Sequence, residues 1–180
     1  MIAEKQDWAH QPTALLREEH DIITRALGIL ERQARALDGG NPAARERIAA
    51  LAEFIREFAD RRHHGKEEDV LFAAMVDAGM PRHVGPIGMM LAEHDQGRGY
   101  VKAMESPDDR VAAKAARDYA TLLSSHIQKE NGILFPMAEE VLPPEVRERV
   151  AHRFAELEDA AGGAASRASW VARLEALAKE

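Results

Sequence analysis

The sequence predicts an all-α protein: an up-down-up-down four-helix bundle with additional C-terminal helices. Three observations support this fold class. Alanine, leucine, glutamate and arginine, which favour helices, fill long stretches of the chain, whereas aromatic residues make up only 5 % of it. β-branched residues are sparse and nowhere alternate with polar ones, as they do in strands. Glycine and proline divide the 180 residues into long segments with short connections, which are typical of an antiparallel bundle.

Breaks in the first half of the chain set the limits of the first three helices. The segment GGNP at 39–42 ends the first helix and begins the second, with Asn41 as N-cap and Pro42 in the first turn. The segment AGMPRHVGP at 78–86 ends the second helix, and the third follows it. We therefore predict helices at 13–38, 42–78 and 87–105.

Similar breaks in the second half define three more helices. The segment SPDD at 106–109 begins the fourth helix, with Ser106 as its cap and acidic residues in the first turn. PPE at 143–145 begins the fifth helix, and GG at 162–163 precedes the sixth. Pro136 is expected to kink the fourth helix or to end it early. The predicted helices lie at 107–142, 144–160 and 166–178.

Length and composition restrict the class of protein. The 180 residues suit one domain, with an N-terminal extension at 1–12, the bundle at 13–142 and a helical extension at 143–180. A formal charge of −7 argues against a nucleic-acid partner. No residue is cysteine, which excludes disulfides and thiolate metal sites and suits a reducing cytoplasm. We expect a cytoplasmic protein without a membrane partner, because no leader-like or membrane-length apolar run occurs.

A repeated pattern is the main functional signal. HHGKEEDVLF at 63–72 and HIQKENGILF at 126–135 share the frame His-x-x-Lys-Glu-x-x-aliphatic-Leu-Phe. Each follows a helix that carries Glu-His-Asp, in EEHD at 18–21 and AEHD at 92–95. The chain therefore contains two similar helical hairpins, and we expect a pseudo-twofold arrangement with the repeated residues meeting at the axis.

Helical periodicity places the repeated residues inside the bundle. His20 shares an apolar stripe with residues three and four positions away, and His94 does the same on the third helix. His63 and Glu67, like His126 and Glu130, are four residues apart and so lie on one helix face. The expected apolar walls of this site are Leu16, Ile23, Ile55, Leu91, Leu122 and Ile133.

Four buried imidazoles and two buried carboxylates point to metal ions. A buried carboxylate without a partner costs several kcal/mol or takes up a proton, and neighbouring carboxylates repel each other. A metal ion removes both problems, because imidazole and carboxylate are ordinary ligands. Six donors exceed what one tetrahedral ion requires, so we expect two ions that share the glutamates. The ligand types suit iron, manganese or zinc.

The register of the second helix requires a choice. His64 and Glu68 also have the four-residue spacing, but superposing the two Leu-Phe pairs aligns His63 with His126. On a helical wheel His64 turns away from the apolar stripe, so we expect it beside the site or at its rim. Glu19 fits the interpretation of an ordinary solvated charge.

The segment 13–142 resembles the hemerythrin-like (HHE cation-binding) family. The resemblance lies in two single histidines and two His-x-x-x-Glu pairs, each pair followed by LF: His20, His63 with Glu67, His94, and His126 with Glu130. The resemblance implies a four-helix bundle with a non-haem di-iron centre, oxo- or hydroxo-bridged. It further implies that His20 and His63 bind one iron, that His94 and His126 bind the other, and that Glu67 and Glu130 bridge them.

One departure from the oxygen-carrying hemerythrins concerns function. The oxygen carriers have a fifth histidine, one turn after the histidine of the third helix. This chain has Arg98 at that position, and the missing histidine counts against reversible oxygen carriage. The set of four histidines and two glutamates is more similar to bacterial iron-centre repair proteins, although their cysteine-bearing N-terminal region has no counterpart here.

The functional hypotheses follow from a histidine-rich di-iron centre. Such a centre favours the binding of small diatomic molecules, so the leading hypothesis is a protein that binds or senses O2 or NO. The alternatives are an oxidoreductase that consumes peroxide or NO, an iron donor for damaged iron centres, and a metal-free interaction module. No nucleophile–base pair or phosphate-binding loop favours another enzyme class.

Overall fold

The computed structural model describes residues 11–179, and these form helices joined by short loops, with no strand among them. The all-α prediction is therefore confirmed, and each predicted helix limit lies within one turn of an observed one. The predicted extension at 1–12 lies almost wholly outside the described residues. The helices are α1 (Pro12–Asp38), α2 (43–77), α3 (Gly85–Met104), α4 (109–141), α5 (Pro144–Ala160) and α6 (Gly163–Lys179).

Side-chain caps fix two helix starts. The amide N–H of Ala43 donates to Asn41 Oδ1 over 3.1 Å, so Asn41 stabilises the start of α2 as predicted. At α4 the predicted cap, Ser106, is wrong by two residues. The cap is Asp108, whose Oδ1 accepts from the amide of Arg110 at 2.8 Å.

The four long helices enclose a core that a polar layer divides in two. One apolar cluster lies toward the α1–α2 loop, and its centre includes Leu30 and Phe58. The other lies toward the opposite end of the bundle and includes Leu16, Phe72 and Phe135. On each helix, the residues between the two clusters are buried histidines and glutamates. The fold thus places these polar side chains at mid-height in the bundle.

The C-terminal helices α5 and α6 pack against both core clusters. Phe154 of α5 is buried in the second cluster and Leu174 of α6 in the first. Trp170 of α6 meets Phe54 of α2 edge to face, with ring centroids 5.9 Å apart. Within residues 11–179, no helix is both long enough and apolar enough to cross a membrane.

Parts of two helices are π-helical. In α2 the α-helical stretch Ala43–Phe54 is followed by π-helical turns over Ile55–His64 and Glu67–Leu71, and α-helix resumes at Phe72. In α4 the π-helical turn covers Glu130–Leu134. A π-helix accommodates an additional residue in a turn, so the face that each residue presents changes along the helix.

The π-helical turns correct two sequence predictions. Ile133, expected in the apolar wall, is 55 % exposed, whereas its neighbour Leu134 is buried. Pro136 does not end α4 early, because the helix continues to Val141; it lies two residues after the π-turn ends at Leu134. Leu16, Ile23 and Ile55 lie in the core as expected, but Leu91 and Leu122 are only partly buried.

Candidate metal centre

The six predicted ligands meet in the polar layer of the bundle. Each of the helices α1 and α3 supplies one histidine, and each of α2 and α4 supplies a histidine and a glutamate four residues later. Each of the six residues is at most 1 % exposed. They are His20, His63, Glu67, His94, His126 and Glu130.

Donor atoms in this layer form two groups that share a carboxylate. In each group, one donor atom from every residue lies within 4.8 Å of the donor atoms of the others. Glu67 belongs to both groups, and His64 joins the second one. The first group is His20, His63, Glu67 and Glu130, and the second is His64, Glu67, His94 and His126.

Each carboxylate extends between the two hairpins. Oε1 of Glu67 lies 3.2 Å from Nε2 of His63, and Oε2 lies 3.7 Å from Nε2 of His94. Glu130 has the same arrangement in reverse, with Oε1 3.2 Å from Nε2 of His126 and Oε2 3.1 Å from Nε2 of His20. The two oxygens of each glutamate therefore face different histidine pairs.

Within each hairpin, a glutamate of the first helix orients the histidine of the His-x-x-x-Glu segment by accepting a hydrogen bond from its Nδ1. The Nδ1–H of His63 donates to Glu19 Oε2 over 2.8 Å, and the Nδ1–H of His126 donates to Glu93 Oε2 over 2.8 Å. Glu19 directly precedes His20 in the sequence, and Glu93 directly precedes His94. Because a carboxylate only accepts hydrogen bonds, these contacts fix the tautomer and leave Nε2 without a proton in the neutral ring.

Between the hairpins, similar contacts orient the other two histidines. His94 Nδ1 donates to Glu68 Oε1 over 2.7 Å, and His20 Nδ1 donates to Asn131 Oδ1 over 2.9 Å. Glu68 and Asn131 occupy equivalent places, one residue after Glu67 and Glu130. All four imidazoles thus have Nδ1 occupied and Nε2 directed to the centre, an orientation suited to metal binding.

The lysines of the repeated pattern hold the orienting glutamates. Lys66 Nζ donates to Glu19 and also to Glu158 of α5. Lys129 Nζ donates to Glu93 at the equivalent place in the second hairpin. Lys66 is 1 % exposed, because α5 and α6 cover it, whereas the side chain of Lys129 is 29 % exposed.

Buried polar atoms without partners show that the layer fits cations. Within the described part of the chain, Nε2 of His20 and of His63 and both oxygens of Glu67 and of Glu130 have no hydrogen bond. Nε2 of His94 and Nε2 of His126 lie 3.0 Å apart. Buried acceptors without donors are costly. Two metal ions would satisfy all of these atoms with ordinary ligand types.

Protons compensate the carboxylates when no metal is bound. Burial opposes a charge on His63, but the nearby Glu67 and Glu19 outweigh it and raise the His63 pKa to about 10. Burial likewise opposes the charge of Glu19, yet its contacts with His63 and Lys66 lower the pKa of Glu19 to about 2. The pKa of Glu130 is also lowered, by His126 and His20 against the effect of burial. A metal ion must therefore displace protons.

His64 does not turn away from the centre as the helical wheel predicted. It is 4 % exposed, and burial and the neighbouring His94 hold its pKa well below the usual value. Its ring stacks on that of His94, with centroids 3.8 Å apart and 14° between the planes. His63 and His64 are both buried within a π-helical turn of α2, which changes the angle between successive side chains relative to a regular α-helix.

Sequence reasoning missed a buried ionic cluster beside the centre. Glu19, taken as an ordinary solvated charge, is fully buried, and Arg62 forms paired hydrogen bonds to Glu158 at 2.9 and 3.0 Å. The signal was present, because Glu19 follows Leu15 by four residues and precedes Ile22 by three. It was not decisive, because charged residues at such positions are usually exposed.

Comparison with known proteins gives one family and a set of relatives. The family model described as Hemerythrin HHE cation binding domain matches residues 11–138. The chain is 29 % identical over 155 residues to the iron-sulfur cluster repair protein YtfE of Yersinia pseudotuberculosis serotype O:1b (strain IP 31758), covering 74 % of this chain and 69 % of the relative. The YtfE protein of Yersinia pestis (strain Pestoides F) gives the same identity and coverage. No solved structure matches.

Proposed function

The chain belongs to the hemerythrin HHE cation-binding domain family, and we propose that it holds two iron ions in its buried polar layer and binds O2 or NO there. The observation that carries this proposal is the pair of donor groups that share Glu67, with buried donor atoms that form no hydrogen bond. In this proposal His20 and His63 bind one iron, His94 and His126 bind the other, and each glutamate bridges both.

The surrounding residues determine how such a centre behaves. When bound, the two irons supply the redox-active positions at which a diatomic molecule binds. Glu19, Glu68 and Glu93 hold the imidazoles in place and increase their strength as ligands, because each accepts a hydrogen bond from Nδ1. The apolar clusters on either side keep bulk water out while admitting small uncharged molecules.

Metal analysis combined with ligand titration tests this function. Protein purified from iron-replete cells should contain about two irons per chain and show charge-transfer absorption. After anaerobic reduction, adding O2 or NO should change the spectrum reversibly. A protein without bound iron, or one whose spectrum responds to neither molecule, contradicts the proposal. Steady-state consumption of H2O2 or NO with a reductant would instead assign the oxidoreductase function.

A second candidate function is the donation of iron to damaged iron centres. The similarity to the Yersinia iron-sulfur cluster repair proteins favours it. It requires labile iron, so an apo iron–sulfur protein should take up iron from this chain faster than a chelator alone extracts it. Iron that stays with the chain during such an incubation contradicts this second function and leaves the first intact.

A further inference from the structure

A cavity of about 340 Å³ leads from the surface to one side of the polar layer. It lies between α2, α3 and α4, and its inner end is formed by His64 and His94. Of the six predicted ligands, only His94 lines it. The apolar part of its wall comprises Ile55, Val101 and Leu123, and charged side chains of both signs, Arg56, Arg98, Lys102 and Glu105 among them, surround the entrance.

A tyrosine hydroxyl in this cavity lacks a partner. Tyr119 is 2 % exposed, lines the cavity, and its hydroxyl has no hydrogen bond to any described residue. Its ring lies close to α3 at Gly97, where an added Cβ would be 3.3 Å from Tyr119 Cε2. A buried hydroxyl without a partner is costly, and the cavity has room for several water-sized groups. A small molecule inside the cavity would provide the missing acceptor.

The orientation of His64 separates it from the four metal-binding histidines. The rings of His20 and His63 are inclined by 59°, and those of His94 and His126 by 55°, so the planes of each pair converge. The ring of His64 is nearly parallel to that of His94, at 14°. Because the lone pair of an imidazole nitrogen lies in the ring plane, two parallel stacked rings do not point at one ion. His64 in this orientation is a neighbour of the centre and not a ligand.

We propose that the cavity is the binding pocket for the small exogenous ligand, on the His94 side of the centre, and that Tyr119 donates a hydrogen bond to it. His64, whose Nδ1 faces Asp60 Oδ1 at 3.4 Å, lies against the ligand at the inner end of the cavity. The inference rests on the proposed function and adds to it the side of approach and the two residues that contact the ligand. The class of ligand is a small oxygen or nitrogen molecule with at least one hydrogen-bond acceptor atom. The hydroxyl donor of Tyr119 favours ligands that carry partial negative charge.

The test measures ligand binding in variants of the iron-loaded protein, with azide and NO as probes. Tyr119→Phe removes only the hydroxyl. His64→Leu replaces the imidazole with an apolar side chain of similar size. Tyr100→Phe is the matched control, because its hydroxyl accepts from Gln96 Nε2 over 2.9 Å and it does not line the cavity. Iron content, dissociation constants and the infrared stretching frequency of bound azide are measured for all four proteins.

We expect all four proteins to contain the same amount of iron. Tyr119→Phe should weaken azide binding about tenfold, equivalent to ~1.4 kcal/mol, because it removes the hydrogen bond. Both Tyr119→Phe and His64→Leu should shift the azide stretch, because both change the surroundings of the bound azide. Tyr100→Phe should change neither quantity.

Two results would overturn the inference. Unchanged affinity and an unchanged azide stretch in both cavity variants would show that the ligand does not meet these residues. Loss of iron from His64→Leu would make His64 a metal ligand. A failure of the proposed function is distinct, because the wild-type protein itself would then bind neither azide nor NO.

Discussion

At the residue scale, the lysine of each His-x-x-Lys-Glu segment explains part of the repeat. Lys66 and Lys129 neutralise the glutamates that orient His63 and His126. The pattern thus specifies a His/Glu ligand pair together with a lysine. That lysine neutralises the glutamate that accepts a hydrogen bond from the histidine. The two copies differ in surroundings, since α5 and α6 cover Lys66, whereas Lys129 stays partly in contact with solvent.

This difference predicts unequal effects of removing the two lysines. Lys66→Met should lower the free energy of unfolding by about 3–5 kcal/mol, because it removes the buried cation that Glu19 and Glu158 share. Lys129→Met, at the more exposed equivalent position, should cost about 1 kcal/mol or less. Urea unfolding of the two metal-free variants gives the comparison. Equal losses of stability in the two variants would show that burial by the C-terminal helices does not increase the contribution of Lys66.

Removing one imidazole should affect both iron and stability. His126→Ala should release at least one iron per chain, and in the metal-free protein should cost about 3–5 kcal/mol, because the fully buried Glu130 loses one of the two imidazoles that face its oxygens. Iron analysis and urea unfolding measure the two effects. His152→Ala is the control, since that side chain is 78 % exposed and should change neither. An His126→Ala protein with full iron content would remove His126 from the proposed ligands.

At the scale of the helices, π-helical turns coincide with the residues that line the centre. The π-helical turns overlap both His-x-x-x-Glu segments: in α2 one ends at His64 and the next begins at Glu67, and in α4 the turn begins at Glu130. Such turns are often found at functional sites, because the additional residue changes which side chains face inward. In this protein they place His64 inside the bundle and Ile133 outside it.

The π-turn in α4 predicts opposite outcomes for two adjacent apolar residues. Ile133→Lys should change the free energy of unfolding by less than about 0.5 kcal/mol, because Ile133 is exposed. Leu134→Ala should cost about 2–5 kcal/mol, because Leu134 is 1 % exposed in the second core cluster. Thermal or urea unfolding of both variants measures this. A large loss of stability in Ile133→Lys would contradict this, and would place Ile133 in the apolar wall of the site, as a regular helical period predicts.

The limits of sequence prediction in this protein follow from the same turns. The six helices and the six candidate ligands were predictable, because glycine and proline mark the helix ends and the repeated pattern marks the histidines and glutamates. The positions of His64 and Ile133 were not, because a period of 3.6 residues fails within a π-turn. The roles of Glu19 and Lys66 required three-dimensional contacts, since α5 and α6 bury charges that a single helix would leave in water.

At the scale of the whole molecule, the polar layer links folding to protonation. In the metal-free protein His63 has a pKa raised from 6.5 to about 10, so its contribution to stability is complete below pH 6.5 and disappears as the pH rises through 10. Glu19 has a pKa lowered from 4.5 to about 2, so its contribution is complete above pH 4.5 and disappears as the pH falls through 2.

These shifts predict a pH optimum for the metal-free protein. Its free energy of unfolding should be greatest near pH 6.5. Above that pH the contribution of His63 is lost, and below it the unfolded chain protonates His64, which the fold holds neutral, before the contribution of Glu19 is lost below pH 4.5. Iron should add stability that increases with pH, because binding displaces protons from the ligands. Urea unfolding of the two forms across this range is the measurement. A metal-free protein equally stable at pH 6.5 and pH 10 would contradict the protonation of His63.

The central claim is that two ions lie between the hairpins and share the carboxylates of Glu67 and Glu130. Anomalous X-ray diffraction at the iron edge, on crystals of protein purified from iron-replete cells, tests it most directly. The account predicts two peaks about 3.5–4 Å apart, one beside His20 and His63 and the other beside His94 and His126. A single peak, or iron located outside the polar layer, would contradict it.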